Sequence, residues 1–388
     1  MNILILGGSG FIGNAVFLSL VAKHNITIAG RKKIDGYEQW KYVDFTKKND
    51  WEDLLCGIDL VINAIGIIEG DFDQIQRKSP LELYGVCVKK KIKVIHISAI
   101  GAEKKAPATA FLKTKKVTDE FLLQYDQARV VYPGVVIGQK GRSARFFAEI
   151  ARFPLIPLFS EKPVYFVHID QLVSLIQDIV SHFDQYPGQI FAVAKPESLK
   201  TVFSAMKGHK AHFIKVPEWI FSSLFTFFPN ASIGIFNKAT FNLFLDSSAD
   251  DYKPMFDEIS KRTDLQNIVG GEVFPPLFAL LAISFIWIAS GVTSLISWDA
   301  SYALMQEVGA SHDMAIASIW AGSLVDIFLG IAVFIKKYRK QILVLQILTM
   351  LIYMAILTLG APHYWLHPFG VLTKNIPLIA LSYYLYWK

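Results

Sequence analysis

The stretch Asn2-Ile3-Leu4-Ile5-Leu6-Gly7-Gly8-Ser9-Gly10-Phe11-Ile12-Gly13 opens the chain with a short apolar run and a glycine-rich turn. Asn2–Leu6 reads as a buried parallel strand. A helix pattern follows from Asn14 to Lys23, with Val16, Phe17, Leu20 and Val21 as its apolar positions. Glycines at such a turn let a pyrophosphate approach the backbone, and the helix behind it presents free N–H groups and the positive end of its dipole. A plain glycine-rich turn is the alternative. The strand before and the helix after favour a dinucleotide cradle of Gly7, Ser9, Gly10, Phe11, Ile12 and Gly13. The N-terminus has no basic leader, and its apolar run is too short for a signal peptide.

Further strand signals follow at the spacing of βαβ units. Ile26–Ala29 ends in Gly30-Arg31-Lys32-Lys33. An acid often stands here to bind a ribose 2′-hydroxyl; Arg31 suits a 2′-phosphate, so NADP(H) is expected before NAD(H). A solvated basic turn is the other reading. A third strand near Tyr42–Val43 leads to Asp44, placed near an adenine. A fourth, Leu60–Ile65, carries Asn63, Ala64 and Ile65, and a fifth, Val94–Ser98, ends at Ser98. A helix signal over Pro80–Lys91 lies between these last two. The alternation predicts an α/β class: a Rossmann-like, doubly wound parallel sheet with ligands at the carboxyl ends of its strands.

Beyond Gly270 the composition changes. The whole chain of 388 residues is 53% hydrophobic with a net charge of +6, and its mean hydropathy is +0.37. Four apolar stretches, 274–297, 314–335, 342–361 and 365–387, approach the ~20 residues needed to cross a bilayer. An all-α domain of four transmembrane helices is therefore expected over 269–388. Lys336, Lys337, Arg339 and Lys340 fill one loop, whereas Asp299 to Asp313 contains no Lys or Arg. The positive-inside rule then places the N-terminal domain, loop 336–340 and the C-terminus in the cytoplasm, with the chain multi-pass in the cell inner membrane. Asp326 and Lys374, near the middles of the second and fourth stretches, are expected to pair, as a helix clamp or in a redox or proton role; the alternative is a fourth span tilted or broken at Pro377, with Lys374 in a wet notch.

Outside that loop there is no long basic block, so membrane lipids rather than nucleic acid account for the charge. Cys56 and Cys87 lack metal or CxxC spacing and read as buried free thiols, with no metal site. Residues 216–268 connect the two parts. Trp219, Phe221, Leu224, Phe225, Phe227 and Phe228 lie close together before Pro229, suiting a substrate-subdomain helix or a membrane-interface helix.

The motifs GGSGFIG, VDF, VINAIG, HISAIGA, FLKTKKVTDE, VYPGVVIG and FVHIDQLV, over residues 1 to about 215, resemble the short-chain dehydrogenase/reductase superfamily. The similarity is to its atypical NmrA-like or complex-I-subunit-like branch. WIASG, WAGSLVDIFLG and HPFGVLTKNIP in the C-terminal part resemble the DoxX-like four-helix membrane domain. The resemblance implies an NAD(P)-binding domain over 1–215 and a DoxX-like domain over 269–388. It also implies a catalytic Tyr followed four residues later by Lys. Here Lys115 matches and Phe111 stands at the tyrosine position, which leaves Lys115 and Ser98 as the catalytic candidates. Lys115 and Pro133 join the expected cofactor contacts. His168 falls where such proteins close the substrate side, and a packed, satisfied histidine is its plainer reading.

Two functions stay open at this stage. One is an NADP(H)-dependent oxidoreductase acting on a lipophilic substrate such as a quinone or isoprenoid carbonyl. The other is a non-catalytic NAD(P)H-binding module that stabilises or regulates a membrane complex. A membrane-protein partner or a homo-oligomer is compatible with either.

Overall fold

The computed structural model describes residues 1–107, 109–153, 155–158, 160–207, 211–217, 219–220, 223, 226, 252–258, 276–367 and 370–387. The chain divides into two compact units, one holding Met1–Glu218 and one holding Gly271–Lys388.

The first unit is built on a parallel sheet. Its strands are β1 (Asn2–Leu6), β2 (Asn25–Gly30), β3 (Trp40–Tyr42), β4 (Leu60–Asn63), β5 (Lys93–Ile97), β6 (Ala128–Pro133) and β7 (Gln189–Ala192). Their order is β7-β6-β5-β4-β1-β2-β3, and every pairing is parallel. The helices used below are α1 (Phe11–Leu20), α2 (Trp51–Leu54), α3 (Ser79–Lys89), α4 (Ala110–Leu122), α5 (Arg142–Ala151), α6 (Ile169–Ser181) and α7 (Leu199–Lys207). Strand side chains alternate between faces. Ile3 and Ile5 of β1 pack in one cluster with Val16 and Phe17 of α1 and Leu172 and Ile176 of α6. Leu4 and Leu6 pack in the other with Leu83 of α3 and Leu112 and Leu122 of α4. Both faces are thus covered, which is why these strands read as near-continuous apolar runs.

The segment 252–258 returns to this unit past the boundary expected at residue 215. Met255 N–H donates to Val193 O at 2.8 Å and Lys195 N–H to Phe256 O at 3.0 Å. Gln171 Nε2 donates to Glu258 O at 2.7 Å. The other apolar residues expected to form a connecting helix, Phe221, Leu224, Phe225, Phe227 and Phe228, lie outside the described residues; Trp219 is exposed.

The second unit contains α8 (Pro276–Ile296), α9 (Trp298–Glu307), α10 (His312–Ala332), α11 (Arg339–Gly360) and α12 (Asn375–Trp387). Among the described residues, three helices are long and apolar enough to cross a membrane: Leu277–Ile296, His312–Ala332 and Arg339–Gly360. The fourth span expected over 365–387 is broken. Pro362–Leu366 forms a 3-10 turn, and α12 has 13 residues. At 1.5 Å per residue that is roughly 20 Å, against a hydrocarbon core of about 30 Å. Pro377 falls in the first turn of α12, where its missing N–H costs nothing.

The break also removes the expected pair of Asp326 with Lys374. Lys374 sits exposed in the turn before α12. Asp326, 5% exposed on α10, instead accepts from Tyr353 Oη of α11 at 3.2 Å and interacts with the Ser290 side chain of α8. Other interhelical polar contacts accompany it. Ser284 Oγ donates to Gly330 O at 2.7 Å and Gln346 Nε2 to Leu329 O at 3.1 Å. Hydrogen bonds of this kind join helices where no apolar–water contrast does so. Asp326→Asn and Tyr353→Phe should therefore be non-additive in a double-mutant cycle of thermal stability in detergent. A coupling of about 0.6–2 kcal/mol is expected; additive effects would exclude the contact as a stabilising one.

One of the two thiols differs from expectation. Cys87 is buried, and burial pushes its thiol up to about 12. Cys56 is exposed, because it follows α2 in a surface turn.

Candidate functional site

The turn after β1 is shaped by two glycines. Gly7 has φ +76°, the left-handed region that side chains disfavour. A Cβ on Gly13 would lie 2.3 Å from Gly7 O, so α1 reaches the sheet only because residue 13 has none. Gly10 N–H donates to Gly7 O at 2.8 Å, and the first bond of the helical turn is Asn14 N–H to Gly10 O at 2.9 Å. The N–H groups of Phe11, Ile12 and Gly13 therefore stand at the open end of α1. Gly10 caps the helix without a side chain, and no acid occupies its first turn. An open cleft begins at this point, lined by Ser9, Gly10, Phe11, Asn14, Lys32, Lys33 and Lys140 among others. The cradle fits a pyrophosphate: orphan N–H donors, no side chain in the way and several cations beside it.

The other expected cofactor residues lie at the carboxyl ends of neighbouring strands. Asn63 ends β4, and Ala64 and Ile65 follow it beside Gly7. Pro133 ends β6. Arg31 is exposed just beyond β2. Lys32 and Lys33, not Arg31, are the residues of that turn that line the cleft. Asp44 follows β3 and is 9% exposed. Thr46 donates to it through its backbone N–H at 3.0 Å and its hydroxyl at 2.8 Å. These bonds, with Arg31 nearby, hold the Asp44 carboxyl below its usual range. Lys140 and Asn14 had not been singled out; the approach of the loop after β6 to α1 is a tertiary feature with no local signal.

The reductase positions meet at the end of β5. Ser98 Oγ donates to Asp119 Oδ2 at 2.5 Å. Lys115 is 3% exposed; its Nζ donates to Ile97 O at 2.9 Å and lies 5.7 Å from the centroid of the Phe111 ring. Phe111 in turn packs edge-on against Phe72. A ring thus fills the place where a hydroxyl would be expected. Burial pulls the Lys115 ammonium below its ordinary range and pushes the Asp119 carboxyl up.

A chain of polar contacts continues from Asp119 beneath the strand ends. His96 Nε2 lies 3.4 Å from Asp119 Oδ1. His96 Nδ1 and Tyr84 Oη are 2.7 Å apart, and Asn63 Nδ2 donates to Tyr84 Oη at 2.7 Å. Because Asn63 already donates to the Tyr84 oxygen, the single Tyr84 hydrogen goes to His96 Nδ1. His96 then carries its own proton on Nε2, aimed at Asp119. Burial keeps this imidazole neutral, well below its ordinary pKa. None of Tyr84, His96 or Asp119 stood out in the sequence reading. Asp119 had one signal: it is four residues after Lys115 and so on the same helical face. His168 caps α6, with Gln171 accepting from its N–H at 3.0 Å, the packed role rather than a catalytic one.

Residues 3–120 match the NAD dependent epimerase/dehydratase family, and residues 284–383 match the DoxX-like family. The chain joins an epimerase/dehydratase-like Rossmann domain to a DoxX-like domain. No curated protein matches the chain. Among solved structures, UDP-glucose 4-epimerase from Thermotoga maritima aligns with TM-score 0.52 and 14% identity, over 69% of this chain and 97% of that one. ADP-L-glycero-D-manno-heptose-6-epimerase from Helicobacter pylori aligns with TM-score 0.50 and 17% identity, over 70% and 96%. UDP-glucuronic acid 4-epimerase from Bacillus cereus, solved with UDP-glucuronic acid and NAD, aligns with TM-score 0.50 and 15% identity, over 69% and 97%. At these identities the likeness shows the fold of the epimerase/dehydratase-like domain.

The Tyr84 hydroxyl is the joint of the buried chain. Tyr84→Phe leaves Asn63 Nδ2 and His96 Nδ1 buried without it, at about 1–3 kcal/mol. The variant should melt measurably below the parent; an unchanged melting temperature would mean the chain contributes nothing to stability.

Proposed function

We propose that this protein is a membrane-anchored oxidoreductase that binds NADP(H) and reduces a lipophilic carbonyl compound, such as a quinone or isoprenoid carbonyl, at the cytoplasmic face of the inner membrane. The carrying observation is one chain that combines the Gly7–Gly13 cradle with helices apolar enough to cross a bilayer. NAD in solved relatives of the same fold supports a dinucleotide. The choice of NADP(H) rests on an excess of cations: Lys32, Lys140 and Lys33, the last paired with Glu38, line the cleft against one acid, Asp35, and Arg31 stands beside it, suited to an extra phosphate. The bound dinucleotide would supply hydride. Gly10, Phe11 and Ile12 would hold its pyrophosphate, and Lys115 its nicotinamide ribose.

A non-catalytic binding module is the second reading, favoured by one observation. Phe111 carries no hydroxyl, and a positioned general acid typically contributes 10²–10⁴-fold. Simple ketones and aldehydes should therefore turn over slowly, and an acceptor that takes hydride readily suits the site better.

Fluorescence titration of the detergent-solubilised protein should show NADPH binding more tightly than NADH. Replacing Arg31, Lys32 and Lys33 together by Ala should erase most of the difference, each charge-assisted contact being worth roughly 1.5–3 kcal/mol. Equal affinity of the parent for both cofactors would overturn the assignment. Phe111→Tyr should raise carbonyl reduction without changing cofactor affinity; a binding module would gain nothing from it.

The orientation is checked separately. A reporter fusion after Lys337 should report cytoplasm, and one near Glu307 the opposite side. A KKYRK loop found outside would overturn the cytoplasmic placement.

A further inference from the structure

Phe111 leaves the site without its usual proton donor, yet a buried acid lies beside it. Asp119 is 1% exposed and approached from every side by groups able to manage a proton. From β5, Ser98 Oγ donates to Oδ2 at 2.5 Å and His96 Nε2 faces Oδ1 at 3.4 Å. From β6, the Tyr132 hydroxyl interacts with the carboxyl. Lys115 lies on the same helix, one turn earlier. Glu103, in the loop after β5, is a like charge near enough to act on it, and Tyr84 of α3 feels its charge in turn. Asp119 Oδ1 and His96 Nε2 are both buried without a formal hydrogen-bond partner. An oxygen left so is costly in an interior, and a proton on the acid is one remedy.

We propose that Asp119 holds the proton for this site and delivers it, through the Ser98 hydroxyl, to an oxygen anion seated at the carboxyl end of β5. The inference rests on the oxidoreductase reading above. Reduction of a carbonyl by a reduced nicotinamide dinucleotide leaves its electron pair on oxygen. That oxygen takes the hydrogen of Ser98; one O–H bond forms on it and one breaks at Oγ. In the loaded state the acid carries its hydrogen on Oδ2 and donates it to Ser98 Oγ, while the Ser98 hydrogen turns to the substrate oxygen. Ser98 Oγ thus takes the Asp119 hydrogen across the 2.5 Å contact. The net change is one proton moved from Asp119 to the product. The carboxylate left behind is met by the Tyr132 hydroxyl, the His96 Nε2–H and the Lys115 ammonium, and it regains a proton from water once the product leaves. Burial, which pushes the Asp119 carboxyl up, keeps it loaded above the ordinary carboxylate range. The site thus carries a proton at pH values where an exposed carboxyl has none.

The test uses the full chain in detergent with three readouts. First, infrared difference spectra of the cofactor-free parent minus Asp119→Asn should contain a protonated-carboxyl C=O band at pH 6. The band should fade as pH rises. A band that appears only below pH 4 would overturn the proposal. Second, NADPH oxidation with 9,10-phenanthrenequinone should fall on the alkaline side in the parent. Asp119→Asn should lose about 10²-fold in rate, together with that pH dependence. Asp119→Glu should recover both in part, and Ser98→Ala should behave like Asp119→Asn. An Asp119→Asn protein with the parent's rate and pH profile would overturn the proposal, as would a parent that binds NADPH and oxidises none. Third, NADPH fluorescence titration separates the two claims. No binding would overturn the oxidoreductase reading and this inference with it. Binding with no effect of Asp119→Asn would overturn the inference alone.

Discussion

The approach of Gly13 to the carbonyl of Gly7 is the contact on which the nucleotide half depends. A Cβ at residue 13 would stand 2.3 Å from that oxygen. Without one, α1 runs directly out of the first turn and lays Val16, Phe17 and Leu20 on the sheet. The same closeness aims the helix N-terminus along the carboxyl edge of the strands. Because all seven strands are parallel, that edge gathers Gly7, Asn63, Ser98 and Pro133 from four strand ends. Groups from four strands converge there as a consequence of topology, with no need for a loop to fetch them.

The network below that edge follows a different rule. Asn63, Tyr84, His96, Ser98, Lys115 and Asp119 are all buried. Such groups are tolerated where each finds partners, and an unmet member costs about as much as a met one contributes. Donor accounting fixes most of the hydrogens: the Asn63 amide determines where the Tyr84 hydrogen goes, and this in turn sets the His96 tautomer. A site that must order a proton needs fixed hydrogens, and a buried chain with one consistent assignment provides them.

Much of this was legible in the sequence, where local pattern and chemistry coincide. Strand, glycine turn and helix stand in unbroken succession over residues 2–23, and the strand ends carrying Asp44, Asn63 and Ser98 announce themselves by small polar residues after apolar runs. Legibility fails where the deciding partner is distant. Nothing near Asp119 shows that Ser98 will donate to it from 21 residues away. Nothing near Tyr252 shows that its hydroxyl will reach Glu103, 149 residues earlier. The fourth apolar stretch misled for a local reason: hydropathy counts Trp365, Leu366 and Val371–Leu372 as if they continued one helix, whereas a 3-10 segment and a turn interrupt them.

That same interruption explains why opposite charges at matched depth were a poor guide to pairing. Lys374 looked buried only while its stretch looked helical; as the end of a turn it keeps its ammonium exposed. Bringing it to Asp326 would require desolvating both ions, and the mutual attraction of a buried pair often fails to exceed that cost. Hydroxyls are gentler partners: Tyr353 and Ser290 satisfy Asp326 with neutral donors already inside the helix bundle. Asp119 is held the same way, by Ser98 and Tyr132, though it lies in a sheet-based unit with a different core. The two carboxyls share an environment in which a hydroxyl can donate to the ionised form or accept from the protonated form with little movement of heavy atoms. At Asp119 the nearby Lys115 ammonium favours the ionised form and burial opposes it, so hydroxyl partners that serve either form leave its protonation state open to change.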